Sequence, residues 1–294
     1  MNSLKNKIDF AVIVSVNRAN PNGDPLNGNR PRVNYDGLGE LSDVCIKRKI
    51  RNRLMQEGHA IFVQSDDNKV DDYPSLRARA EGEIKKDDRK DKKRFQAVVC
   101  EKWIDVRAFG QVFAYSGDKK GEGESTSLRG PVSVHPAFSV APVSDRISSI
   151  QITKSVSGEG EGKKKASDTM GMKHRVDHGV YVFYGSINPQ LAVKTAFSEE
   201  DAQAIKDALK TLFRNDESSA RPAGSMEVNR VYWWTHNSNN GQYSPAKVHR
   251  SVAEKIMVKD GIDEPKGIED YVIPDKTEIE KDLPGLKCEI LEGE

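Results

Sequence analysis

Apolar residues reach this chain in short bursts, and their period changes from one burst to the next. The run Ile8–Val16, IDFAVIVSV, is apolar and β-branched, which predicts a buried central strand. A long polar loop rich in Asn, Pro and Gly follows over Asn17–Arg32. Ser42 then caps a predicted helix over 43–57, closed by Gly58. Its apolar residues Ile46, Ile50 and Leu54 recur at i, i+4, i+8 and must face a core. From about Gln64 to Arg94 the charge is mixed and the period is lost, which predicts a solvated insertion, helical in part. Over Cys100–Ala114, helical spacing puts Trp103, Val106, Gly110 and Phe113 on one side of a helix.

A Gly/Lys loop, SGDKKGEGES, leads to Leu128–Val140, where Val132, Val134, Phe138 and Val140 alternate as in a half-buried strand. Two strand-like flanks, ISSIQITKSV and TMGMKHRVDHG, enclose SGEGEGKKKASD, which has nothing to bury. That pattern predicts a long hairpin over 147–178, projecting from the body. Val180–Ile187 is a third core strand. Ser198 with Asp201 makes a capping box for a helix bearing Ala202, Ile205, Leu209 and Leu212. Val228–His236 is a fourth strand, and the tail after Pro245 is acidic and Pro-interrupted, with an edge strand at Lys287–Leu291. Without its insertions the order is β-α-(α)-β-β-α-β. This predicts an α+β, modified ferredoxin-like arrangement shared with RNA-recognition-motif modules, a four-stranded antiparallel sheet with two helices on one face.

Composition narrows the class. Of 294 residues, 36% are hydrophobic and 31% charged, too apolar for a disordered chain. No run is long enough to span a membrane, the first residues lack the pattern of a signal peptide, and Cys45, Cys100 and Cys288 lie far apart. The expectation is a cytoplasmic protein without disulfides, structural metal or cofactor. The net charge of +1 hides a polarity along the chain. Residues 17–55 carry eight Lys/Arg against four Asp/Glu, and 146–176 carry seven against three. Residues 254–294 carry six against thirteen. Basic segments early and mid-chain point to a polyanion partner.

The loop NRANPNGDPLNGNRPR has the composition of a ligand-gripping segment. Pro21 and Pro25 stiffen it, while Gly23 and Gly28 allow close approach of another backbone. Asn17, Asn20 and Asn22 offer donors and acceptors for phosphate, ribose or base edges. Arg18, Arg30 and Arg32 add charge that does not titrate. A chain of ordinary Asx turns would read the same way. On the following helix, Lys47 and Arg51 share a flank with Arg48 nearby, a spacing able to follow successive phosphates or simply to face water. In the hairpin, Lys154, Met170, Lys173, His174 and Arg175 set an apolar residue beside cations, which suits a wedge between bases or a plain solvated edge hairpin. Catalytic patterns are thin, with no HExxH, Walker loop or GxSxG. A metal-independent ribonuclease could use His174 or His178 as base, as it could any surface histidine, and Asp24 or Asp36 could support metal-assisted cleavage.

The segments IDFAVIVSVNRANPNGDPLNGNRPR, LSDVCIKRKIRN, DVRAFGQVFA, RGPVSV and TMGMKHRVDHGVYVFYG together resemble the CRISPR-associated Cas-seven (Cas7) family, the Cascade backbone subunits. The likeness is greatest to the Csd-two/Csh-two branch of type I-C effectors. It implies a non-catalytic subunit shaped as a hand: a palm from 1–58, 96–140 and 179–240, an inserted finger region at 59–95, a thumb hairpin at 141–178 and an acidic C-terminal tail at 241–294. It further implies copies polymerised head-to-tail along a guide (cr)RNA and joined by other Cascade subunits, with the guide displayed for pairing with target DNA. Carried onto this chain, the resemblance makes Asn17–Arg32 the palm loop, gives Lys47 and Arg51 to an RNA-contacting helix, and puts Met170 and Lys173–Arg175 in the thumb. Related RNA-cleaving backbone subunits use a loop aspartate, which keeps Asp24 open.

Overall fold

The computed structural model describes residues 3–115, 124–154 and 169–294. The tip of the expected hairpin, 155–168, and most of the Gly/Lys loop lie outside the described residues. The strands that matter are β1 (Ile8–Ala19), β2 (Leu38–Leu41), β3 (Val132–Val134), β4 (Ala137–Pro142), β5 (Ile147–Lys154), β6 (Thr169–Ile187), β7 (Met226–Thr235) and β8 (Cys288–Glu292). They join in one sheet of order β8-β7-β1-β6-β4-β2, with β3 and β5 also pairing with β6, antiparallel at each pairing. The helices are α1 (Asp43–Gln56), α2 (Leu76–Glu83), α3 (Lys86–Lys90), α4 (Lys92–Lys102), α5 (Ile104–Phe109), α6 (Pro189–Thr195), α7 (Glu199–Lys210), α8 (Pro245–Ala253) and α9 (Lys276–Asp282).

The unbroken apolar run of β1 is explained by burial on both faces. Phe10, Val12, Val14 and Val16 join a core with Ile46, Ile50 and Leu54 of α1 and Ile205 and Leu209 of α7. Ala11 and Ile13 point the other way, into a second core with Val248, Val252, Tyr271, Ile279 and Leu283. The expected acidic tail is therefore no tail. Its few apolar residues cover the back of the sheet, and β8 pairs with β7 as the expected edge strand. Tyr181, Phe183, Trp233 and Trp234 are all buried.

Three further expectations need correction. The helix over Cys100–Ala114 breaks at Trp103, the C-cap of α4, and becomes a strand, Gly110–Tyr115, paired with Glu124–Arg129. Gly110 permits that switch because it takes φ +79° with the Leu128 carbonyl only 2.3 Å from where a Cβ would stand. The insertion is not merely solvated, since Phe62, Ala80, Ile84, Phe95, Val99, Trp103 and Phe113 form a core of their own. The single strand over Leu128–Val140 is really β3 and β4. Its alternation changes phase across His135–Pro136, leaving Ala137 and Ser139 buried and Phe138 exposed.

Local signals read from the sequence hold where they are self-contained. Ser42 accepts from the Cys45 amide at the start of α1, and the Ser198–Asp201 capping box opens α7. The two flanks of the hairpin pair from Val176–Ile147 out to Thr169–Lys154. However, the third core strand and the second flank are one element, β6, which runs without a break from hairpin to core.

Candidate nucleic-acid interface

The strand β1 outlasts its apolar run. Asn17 faces His178 and Ala19 faces Val176 across β6, while Arg18 between them sits in the left-handed region at φ +51°. That conformation costs a residue with a Cβ about 1–2 kcal/mol. It lifts Arg18 out of the ladder, exposed and with no hydrogen-bond or ion-pair partner among the described residues. Arg18 lines a cleft of about 890 Å³ at the base of the hairpin with Asn17, Arg146, Arg175, His178 and Lys266. Asp145, Asp177 and Glu264 line it too, so four cations face three carboxylates and the cleft is polar rather than strongly positive.

Each wall of this cleft is braced. Arg175 Nε donates to Ser148 Oγ at 3.1 Å and lies 4.0 Å from Asp177. Arg146 donates to the Pro265 and Asp263 carbonyls, both at 3.1 Å, and so pins the C-terminal segment as the far wall. His178 is buried; its Nδ1 donates to Asn17 Oδ1 at 2.7 Å, and burial pushes its pKa below the usual histidine value.

Beyond Ala19 the expected open loop is a small ladder. Gly23–Asp24 pairs with Arg30–Pro31 around a 3-10 turn, Pro25–Asn27, which Asp24 caps. Asn20 Nδ2 donates to the Asn29 carbonyl at 2.7 Å. Asn22 Oδ1 accepts from both the amide and the hydroxyl of Ser42 at 2.9 Å, tying the loop to the start of α1. A Cβ at Gly23 would lie 2.1 Å from Asn29 Oδ1, so a side chain there would displace that of Asn29. Arg32 lies 3.5 Å from Asp24. Arg30 instead reaches across to the hairpin. Its Nη1 donates to Ser149 Oγ at 3.3 Å, and Ser149 Oγ is 2.7 Å from His174 Nδ1. Loss of solvent and the nearby Arg30 charge both lower the His174 pKa. Loop and hairpin, far apart in sequence, thus meet through Arg30 and Ser149, and Lys173 is half-exposed next to His174 along the strand. Lys154 and Met170 lie on the paired strands, but their side chains fall outside the described residues.

The helix candidates are placed differently. Lys47 pairs with Asp43 at 3.0 Å, and Arg48 donates to the Val63 carbonyl at 2.6 Å. Arg51 meets the fully buried Asp105 at 3.0 Å and lies over the Phe109 ring at 5.0 Å. All three are engaged with their own chain.

Comparison with known proteins gives this geometry a setting. The family model for the CRISPR-associated protein Cas7 matches residues 6–275. The chain belongs to the Cas7 family. A curated Cas7 protein of Haloferax volcanii is 26% identical over 231 residues, which cover 74% of this chain and 67% of that protein. A chain of a solved CRISPR RNA-guided surveillance complex in a pre-nicking state shares the fold, with a TM-score of 0.53 at 13% identity over 94% of this chain and 87% of that one.

In this Cas7 chain the residues considered for catalysis have structural bonds. Asp24 caps its turn and faces Arg32, and the Asp36 amide donates to Asn34 Oδ1 in an exposed turn. His174 is bonded to Ser149 and His178 to Asn17. Among the described residues no three His, Cys, Asp or Glu gather as a metal ion would need. Sequence reasoning missed Arg146 and Lys266. Arg146 directly precedes the hairpin and was findable as the cation at its root. Lys266 sits within the acidic segment, where nothing local marks it.

Proposed function

We propose that this Cas7 chain is a non-catalytic backbone subunit of an RNA-guided surveillance complex, of the type I-C Cascade kind, which grips guide RNA at the root of its hairpin. The observation that carries this reading is the meeting of loop and hairpin. Arg18 and Arg175 line a cleft of about 890 Å³ at the root of the hairpin, and Arg30 reaches from the loop to Ser149 on the hairpin. Such cations engage phosphate and ribose without reading sequence. The order β7-β1-β6-β4 with α1 and α7 on one face supports a modified RNA-recognition-motif palm. With the back of the sheet covered by residues after Pro245, RNA is held at the sheet's end and not across its face. In this reading α1 acts as a brace, with Lys47, Arg48 and Arg51 contributing long-range charge. Copies assemble head-to-tail along the guide with other Cascade subunits in the cytoplasm, and target DNA is met through base pairing. Among the described residues, no helix is long and apolar enough to cross a membrane.

The test is co-expression with a guide RNA, followed by measuring the size and nucleic-acid content of the particle. A large particle with RNA protected along its length is expected, and a free, RNA-less monomer would overturn the reading. Incubation with repeat RNA, in chelator and with Mg²⁺, separates the ribonuclease reading. Cleavage lost in His174→Ala or Asp24→Ala would establish that alternative.

A further inference from the structure

At the root of the hairpin, the buried His178 Nε2 has no partner among the described residues. His178 is 5% exposed, and its Nδ1 hydrogen is committed to Asn17 Oδ1 at 2.7 Å. A neutral imidazole carries a single N–H, so Nε2 presents a bare lone pair. Among the described residues no donor reaches that lone pair, and the atom is closed to water. A buried acceptor left in this state costs about 1–3 kcal/mol. Its ring nevertheless lines the cleft where Arg18, Arg146, Arg175 and Lys266 are gathered. Arg175 and Asp177, which line the same cleft, have side chains 42% and 57% exposed, so solvent reaches the cleft wall beside the ring.

A phosphodiester backbone offers very few donors to such an atom. Phosphate, bridging and ring oxygens only accept. The ribose 2′-hydroxyl is the one backbone donor, and DNA lacks it. We infer that His178 is the residue by which this chain selects RNA over DNA, its Nε2 accepting a hydrogen bond from a ribose 2′-hydroxyl seated at the root of the hairpin, with Asn17 fixing the tautomer. Asn17 acts through His178 and is a positioning residue. The inference rests on the RNA-binding reading above and sharpens it, because the arginines alone would hold either nucleic acid.

The experiment uses the full chain and single strands of one sequence, about 30 nucleotides long, as RNA, 2′-fluoro RNA and DNA. Fluorine keeps the ribose pucker and removes the donor. The wild-type protein is expected to bind RNA about tenfold more tightly than either analogue, in line with one hydrogen bond at a buried acceptor. His178→Phe, which keeps the ring and removes the acceptor, should lower RNA affinity to the level of DNA and leave DNA affinity unchanged. If 2′-fluoro RNA binds as tightly as RNA, shape and not the donor sets the preference, and the inference fails without help from any variant. Equal losses on RNA and DNA in His178→Phe, with its helical circular dichroism intact, would also overturn it. A wild-type chain that binds none of the three strands, alone or co-expressed with guide, would instead overturn the RNA-binding reading itself.

Discussion

Two groups of cations look alike in the sequence and behave in opposite ways in the fold. Lys47, Arg48 and Arg51 lie within about one turn of α1, and each is taken up by its own chain through Asp43, the Val63 carbonyl and Asp105. Arg18, Arg30 and Lys173 lie at the end of the sheet, where, among the described residues, Arg18 is unpaired and strained and Arg30 touches only a serine hydroxyl. The difference is one of partners: Asp105, 54 positions downstream of Arg51, answers the helix, and among the described residues no carboxylate does so for Arg18, Arg30 or Lys173. A basic stripe marks a binding surface only where the fold leaves it unanswered.

The largest effect should come from breaking the engaged group. Arg51 is 11% exposed and Asp105 fully buried, and Asp105 also accepts from the amides of Phe62 and Val63. Removing one partner of such a pair costs about 3–5 kcal/mol. Arg51→Ala should therefore lower the urea midpoint substantially while the RNA affinity of the folded fraction stays within twofold. Wild-type stability with lost RNA binding would reverse the contrast.

The free group should do the converse. Arg30→Ala with Lys173→Ala is expected to weaken RNA binding about tenfold at moderate salt and to flatten the plot of log affinity against log salt by about one unit per cation. Thermal unfolding should not move. Arg18→Gly is more pointed, because it relieves a left-handed backbone while removing a charge. Stability should rise by roughly 0.5–1 kcal/mol as RNA affinity falls. A fall in both would mean that Arg18 is structural.

Acid separates the two regions next. Burial holds His178 and His249 below the ordinary histidine pKa, so protonation favours the unfolded chain. Their stabilising contribution is complete above about pH 6.5 and is lost as the pH falls from there through the lowered folded values. His178→Phe should flatten the fall in urea stability between neutral and mildly acid solution, whereas Lys47→Ala should leave its shape unchanged. The smallest effect belongs to Lys47→Ala itself at neutral pH, at most about 0.5 kcal/mol for a partly exposed i, i+4 pair. A larger loss of RNA affinity than of stability there would return the helix to the interface.

Much of the fold was legible because its signals are local. The run at Ile8–Val16, the caps at Ser42 and Ser198 and the i, i+4 spacing of Ile46, Ile50 and Leu54 need only near neighbours to be read. The failures were non-local. Trp103 to Phe113 keeps helical spacing, yet Gly110 turns the chain into a strand to meet Leu128. Residues after Pro245 are so charged that Val248, Val252 and Ile279 look incidental until the bare back of the sheet requires a cover. Of the candidate site, the loop and hairpin were visible through composition. Their meeting through Arg30, Ser149 and His174 was not, because no periodicity relates segments so far apart.

Strand β6 has a mechanical consequence. Its 19 residues span roughly 60 Å at the rise of an extended strand. One end pairs with β1 in the middle of the sheet, and the other carries the hairpin beyond it. Such a beam is clamped over half its length and free over the rest, without a hinge between. Load applied to the hairpin is therefore carried directly into the hydrogen-bond ladder of the core, and the hairpin bends as a cantilever instead of swinging as a lid. Whatever lies against its root meets a stiff edge whose position is fixed by the most deeply buried strand of the molecule.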